Sequence, residues 1–224
     1  MPTKREVWDQ WLAENVENEQ PVPLFETKEE REVKTKRYGR DNRLILRRSR
    51  QMEELLRTEG WKVVQDWKDT DDTYEGLIYL MYTLDGECIV PRYLGKAGKY
   101  GRDGQTLSAN LENIRTNNTK LARWGDGYAY HIGELSAAVL SHHKDDSVSR
   151  DKGPKGKYQK WADELFVSGT RRLREPVYFW TKAWCVDDTG PFYDFKTNLE
   201  SLEYNLINLA SDLYPDYLLN SEGA

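Results

Sequence analysis

Cysteine, methionine and histidine are scarce in this chain, at two, three and three residues of 224. Cys88 and Cys185 stand 97 positions apart and build no disulfide framework, so a reducing cytoplasm is the expected setting. No histidine or cysteine cluster has zinc-ligand spacing, and no phosphate-binding loop of the Walker type is present. Long apolar runs are missing as well. Stretches such as Leu77-Ile78-Tyr79-Leu80-Met81-Tyr82 fall far short of a membrane-spanning helix. The opening Met1-Pro2-Thr3-Lys4-Arg5 runs into an acidic amphipathic stretch without an apolar core, which is not the pattern of a secretory signal. An excess of positive charge is also lacking. The 33 basic residues are outnumbered by 38 acidic ones, a net charge of −5 that taken alone argues against a polyanionic partner. What the chain does have is aromatic area: 8 Trp, 14 Tyr and 5 Phe, enough for a sizeable core. A chain of this length buries roughly 70% of its unfolded surface and needs no metal or disulfide staple.

The charge is unevenly spread. Between Arg31 and Arg50 nine basic residues face only Glu32 and Asp41, while residues 6–30 and the tail after Tyr193 are acidic. Such a block reads either as a footprint for a polyanion or as a solvated helix face. Residues 4–15 suit a short helix anchored by Trp8, Trp11 and Leu12 and ended by Pro21-Val22-Pro23. Helical spacing of Leu44, Ile45, Met52, Leu55 and Leu56 predicts a second helix from an Asn42 cap to Glu59, stopped by Gly60, with the arginines on its outer face. Residues 61–75 then read as a linker. Residues 76–81 and 88–94 flank the turn signal Asp85-Gly86 and predict a hairpin, whose second strand lies at a sheet edge because Pro91 cannot donate to a ladder. Residues 177–186 form a third strand. Residues 107–115 and 132–142 read as helical, with His142 and His143 at the surface, and residues 144–160 as a charged surface loop. A last helix starts at the cap Asn198 and closes before Pro215. The sum is an α+β protein: a small three-stranded antiparallel sheet flanked by helices, with a basic helical arm at 1–75, a core at 76–220 and a helical insertion at about 104–172.

The hairpin carries Leu77-Ile78-Tyr79 on one strand and Tyr93-Leu94-Gly95, extended by Lys96-Ala97, on the other. The pair resembles the GIY-YIG nuclease superfamily, whose paired strands bear Gly-Ile-Tyr-like and Tyr-Ile-Gly-like tripeptides. The first tripeptide departs from the pattern, since Gly76 lies one place early. Leu202-Glu203-Tyr204 on the last helix and the ending Pro215-Asp216-Tyr217-Leu218-Leu219-Asn220 extend the resemblance over residues 76–220.

The resemblance implies phosphodiester hydrolysis with one Mg²⁺, or Mn²⁺, held by Glu203, with Glu200 as the alternative ligand. It implies a joint role for Tyr79 and Tyr93, and for Lys96 as a partner that lowers a phenol's pKa or holds the attacking water. The alternative for both tyrosines is a place in the core. A shared role requires both side chains on one face, hence a three-residue turn or a bulge near Pro91, because a one-residue slip moves every side chain to the other face. The family's phosphate-gripping arginine matches Arg123 with His131 best, then Arg102, then Arg115. Arg43, Arg47, Arg48 and Arg50 of the basic arm, with Asn220, are expected to touch DNA. A compact chain of this kind is similar to the stand-alone type II restriction endonucleases of the family, and cutting both strands of a palindrome implies a homodimer or tetramer on double-stranded DNA.

Overall fold

The computed structural model describes residues 2–17, 20–140, 156–192 and 195–220. His142 and His143 and most of the expected loop fall outside that range. The part that is described, from Gly156, is the start of a helix rather than loop.

The long strands are β4 (Tyr74–Asp85), β5 (Cys88–Gly98) and β6 (Tyr178–Cys185). With the short β1 (Val22–Pro23) they form an antiparallel sheet in the order β1-β6-β4-β5. The fourth strand, absent from the sequence reading, is β1, which pairs with Phe179 and Tyr178. Pro23 is tolerated there because β1 is an edge. β5 is the other edge, where Pro91 was expected.

Residues 77–82 are apolar without alternation because both faces of the sheet are covered. Leu77, Tyr79 and Met81 join one core with Met52, Leu56, Val63, Trp124, Leu135 and Trp161. Ile78, Leu80 and Tyr82 join a second core with Trp8, Trp11, Leu202 and Leu206. Trp8 and Trp11 belong to α1 (Lys4–Asn15), whose Thr3 and Glu6 make a reciprocal capping box. Fully sealed rings of this size contribute roughly 4–6 kcal/mol of gross burial each.

The basic segment folds differently from its expectation. β2 (Thr35–Tyr38) and β3 (Arg43–Leu46) form a two-stranded ribbon, and Asn42 sits in its turn with φ 45° rather than capping a helix. α2 spans Arg50–Lys68, capped by the Ser49 hydroxyl, and absorbs most of the expected linker. Gly60 lies inside it as a packing notch: a Cβ there would stand 2.8 Å from the Ile114 side chain. Residues 107–115 form successive turns rather than a helix, followed by α3 (His131–Val139) and α4 (Gly156–Leu165). α1 and α2 cover opposite faces of the sheet, so the described part of residues 1–75 supplies covering layers of the core. α5 (Leu199–Leu213) begins at the Asn198 cap, as its sequence predicts. No helix of the described residues is long and apolar enough to cross a membrane.

Candidate active-site cleft

The tight turn at Gly86-Glu87 pairs Asp85 with Cys88. On that register alone Tyr79 and Tyr93 would point to opposite faces. A bulge between Met81 and Tyr82 leaves Arg92 as the extra residue, and beyond it Tyr79 pairs with Gly95 and Met81 with Tyr93. The bulge near Pro91 therefore brings both phenols to one face, diagonal rather than directly opposite, with ring centroids 6.3 Å apart. Arg92 is buried, pairing with Glu175 and bonding Thr83.

Gly95 of the second tripeptide has a steric cause. Its missing side chain leaves the slot in which the Tyr79 ring lies, and a Cβ would come within 2.6 Å of Tyr79 Cε2. The Tyr79 hydroxyl then donates to the Lys96 carbonyl at 3.2 Å. Lys96 points to the other face of β5, toward α5. Its ammonium is paired with Glu200 and lies 3.4 Å from Glu203 Oε2.

At this end of β5 an open cleft of about 450 Å³ is lined by Tyr79, Tyr93, Lys96, Arg102, Arg123 and Glu203, with Ser108 and Asn110. Six of the residues singled out in the sequence thus meet in one place. Burial raises the Glu203 carboxyl above its ordinary range, and the Lys96 charge offsets part of that. Burial also pushes the Tyr79 phenol well above the usual value, which leaves it neutral and able to donate.

Arg123 is held out by strain. Leu121, Ala122 and Arg123 are three successive residues with positive φ, at 34°, 47° and 79°. A left-handed turn of non-glycine residues costs of order 1–2 kcal/mol per residue. It persists because Leu121, Ala122 and Trp124 are sealed in the core, so the exposed Arg123 is the only one of the four that points outward. The Trp124 carbonyl accepts from Arg48 at 2.7 Å, and Arg48 pairs with Asp126 at 2.6 Å with both side chains buried.

Other expectations change in the structure. His131 lies behind the cleft, not in it. Its ring is 5.2 Å from that of Tyr93, its Nδ1 is 2.9 Å from the Tyr158 hydroxyl, and burial, with Lys157 and Arg123 nearby, drives its pKa well below normal. Arg115 stacks on Trp61 at 3.9 Å and does not line the cleft. Arg48 is an internal clip rather than a phosphate ligand, and Arg43 is buried over the Tyr128 ring at 3.9 Å. Arg47 is exposed but paired with Glu26 at 2.8 Å, and Arg50 is exposed at the start of α2. Asn220 is committed to the fold: its amide receives the Leu94 N–H at 3.0 Å and donates to the Leu94 carbonyl at 2.9 Å, closing the free edge of β5.

Sequence reasoning missed Lys157, whose ammonium donates to the Tyr93 hydroxyl at 3.1 Å. Its neighbourhood reads as loop, so no sequence signal places it there. Among the described residues no three His, Cys, Asp or Glu side chains cluster as a ready-made metal cage. The cleft offers three phenols, those of Tyr79, Tyr93 and Tyr100, two guanidinium groups, an ammonium and one partly buried carboxylate. That set suits an anionic substrate, and a cation that needs few protein ligands. No family model matches the chain, and no curated protein or solved structure matches it.

Proposed function

We propose that the chain is a divalent-metal-dependent endodeoxyribonuclease of the GIY-YIG kind, acting as a sequence-specific restriction-type enzyme on double-stranded DNA. The observation that supports this most is the convergence of Tyr79, Tyr93, Lys96, Arg123 and Glu203 on one open polar cleft. Glu203 fits a single Mg²⁺ or Mn²⁺: its side chain is largely withdrawn from water, with a raised pKa that a bound cation would reverse. When bound, such an ion supplies neutralisation of charge on the phosphate and the leaving oxygen. The chain's own groups do the rest. Arg123, presented by its left-handed turn, grips the phosphate by a bidentate guanidinium contact, with Arg102 at the cleft mouth. The Lys96 ammonium holds the Glu203 carboxylate, and its own backbone carbonyl takes the hydrogen bond of the neutral Tyr79 hydroxyl, which fixes that ring in the cleft wall. Double-strand cleavage calls for two copies of the cleft, hence a homodimer or tetramer on the DNA.

Plasmid cleavage with Mg²⁺ tests the reading. Wild type converts supercoiled DNA to linear product, and Glu203→Ala and Arg123→Ala each lower the rate by about 10²-fold or more. A wild type that binds DNA and never nicks it would leave a non-catalytic DNA-binding module on this fold.

A further inference from the structure

Tyr79 and Tyr93 stand in opposite electrostatic settings. Tyr79 is sealed, 2% exposed, and its hydroxyl is spent as a donor to a backbone carbonyl. Tyr93 receives a hydrogen bond from the Lys157 ammonium at 3.1 Å, and the same ammonium lies 4.5 Å from its ring centre. A cation that donates to a phenol oxygen favours the phenolate, whereas a carbonyl acceptor favours the neutral phenol. Where neighbouring titratable groups are driven apart in this way, the arrangement assigns acid and base roles.

The other charges around Tyr93 point the same way. Arg123 reaches the cleft from its turn and Arg102 from the loop after β5, while Lys96, on the other face of β5, is paired with Glu200 and lies 3.4 Å from Glu203 of α5, so with Lys157 four cations stand against two carboxylates. His131 of α3 and Tyr158 of α4 stay neutral, the latter pushed up to about 12 by burial. The ring itself is clamped by Trp161 at 4.7 Å and His131 at 5.2 Å.

We propose that Lys157 is a positioning residue that holds Tyr93 as the proton acceptor of the hydrolysis, with Tyr79 kept as a neutral donor. The inference rests on the nuclease reading. The Tyr93 phenolate takes a proton from the attacking water as the water oxygen bonds to phosphorus. The bond from phosphorus to the leaving sugar oxygen breaks, that oxygen keeps the electron pair and takes a proton from solvent, and Tyr93 returns its proton to solvent afterwards.

Lys157→Met keeps the apolar stem and removes the charge, and Lys157→Arg keeps a cationic donor. Both are compared with wild type by plasmid cleavage with Mg²⁺ across about pH 6 to 10 and by alkaline ultraviolet titration of the phenols, with Tyr93→Phe to mark the Tyr93 signal. Thermal melting reports folding of each variant. The expected result is a loss of about 10²-fold at neutral pH for Lys157→Met, partly recovered as pH rises, with Lys157→Arg restoring the profile. The Tyr93 signal moves to higher pH in the Met variant and returns in the Arg variant. A folded Lys157→Met variant whose pH profile and phenol titration match wild type overturns the proposal. The titration needs no cleavage: a wild type that cuts nothing, yet shows the shifted Tyr93 signal in the Met variant, overturns the nuclease reading and leaves the pairing of Lys157 with Tyr93 standing.

Discussion

At the scale of single residues the cleft is built from close approaches. Tyr79 occupies space that only a glycine at 95 leaves open. Gly95→Ala therefore forces the ring or the strand to move, and an overpacked core of this kind costs about 1–3 kcal/mol. Urea unfolding checks it, and an unshifted midpoint would mean the ring is not seated on that glycine. Glu203 illustrates the opposite conflict, between stability and chemistry. Its folded-state pKa is raised, so the folded chain binds more protons than the unfolded chain as the carboxyl titrates. Its contribution to stability thus falls as pH rises from the ordinary carboxylate range through the raised value. Glu203→Gln is expected to flatten that fall and to match or exceed wild-type stability at neutral pH without metal, while abolishing cleavage. Melting temperatures across the pH range read the first part, and the plasmid assay the second.

At the scale of elements, buried charge pairs decide where segments meet. Asp66 near the end of α2 accepts from the Thr73 and Tyr74 N–H groups at 3.2 and 3.1 Å and from Lys99 at 2.7 Å, tying α2 to the start of β4 and the end of β5. Burial alone would raise the Asp66 carboxyl, but the Lys99 bond and the two N–H donors outweigh it and hold its pKa below normal. The stability this gives is present above the unfolded carboxyl pKa and is lost as pH falls through the lower folded value. Asp66→Asn leaves the buried Lys99 with only the exposed Asp72 at 3.5 Å and the Asp71 carbonyl, a loss of up to about 3–5 kcal/mol at neutral pH that shrinks in acid. A denaturant midpoint that drops equally at every pH would count against the ion pair as the cause. Lys99, Asp66 and the clip between Arg48 and Asp126 could not be read from the sequence, because each joins positions far apart and no local spacing marks them. The elements that were legible carry their own signals: turn residues and apolar runs in β4 and β5, the aromatic run of β6, the Asn198 cap of α5. The helical pattern of the basic segment misleads for a physical reason. Leu44 and Ile45 of β3 happen to continue the helical spacing of Met52, Leu55 and Leu56 in α2, so one periodicity ran across a strand and a helix. Gly60 added to it, since a notch for Ile114 and a helix stop look alike in sequence. The cleft residues on β4, β5 and α5 were legible as a group, whereas Lys157 depended on tertiary packing of α4.

At the scale of the whole molecule the net charge of −5 averages surfaces of different character. The basic block between Arg31 and Arg50 is only partly available to a partner. Arg43 and Arg48 are withdrawn into the protein, Lys34 and Arg47 are paired with Glu26, and Lys36 is paired with Asp126 at 2.7 Å. Arg37 and Arg40 on the ribbon and Arg50 at the start of α2 remain exposed. On the proposed DNA-cleaving function, a two-stranded ribbon is narrow enough to enter a DNA major groove, and basic side chains at its turn would meet phosphates on the way in. This separates two classes of arginine that the sequence cannot distinguish. Removing an exposed arginine that touches a phosphate lowers the slope of log binding against log salt by about 0.9. The double variant Arg40→Ala with Arg50→Ala is therefore expected to reduce the slope by about 2 and to leave the unfolding midpoint near wild type. Arg48→Ala should do the reverse: it leaves the buried Asp126 with Lys36 as its remaining cation and the Trp124 carbonyl without its guanidinium donor, costs up to about 3–5 kcal/mol, and leaves the slope of the folded fraction unchanged. Fluorescence titration of a DNA duplex at several salt concentrations, paired with urea unfolding of the same variants, reads both quantities. A slope that drops with Arg48→Ala at unaltered stability would place that guanidinium on the DNA and undo the division between internal clips and external contacts.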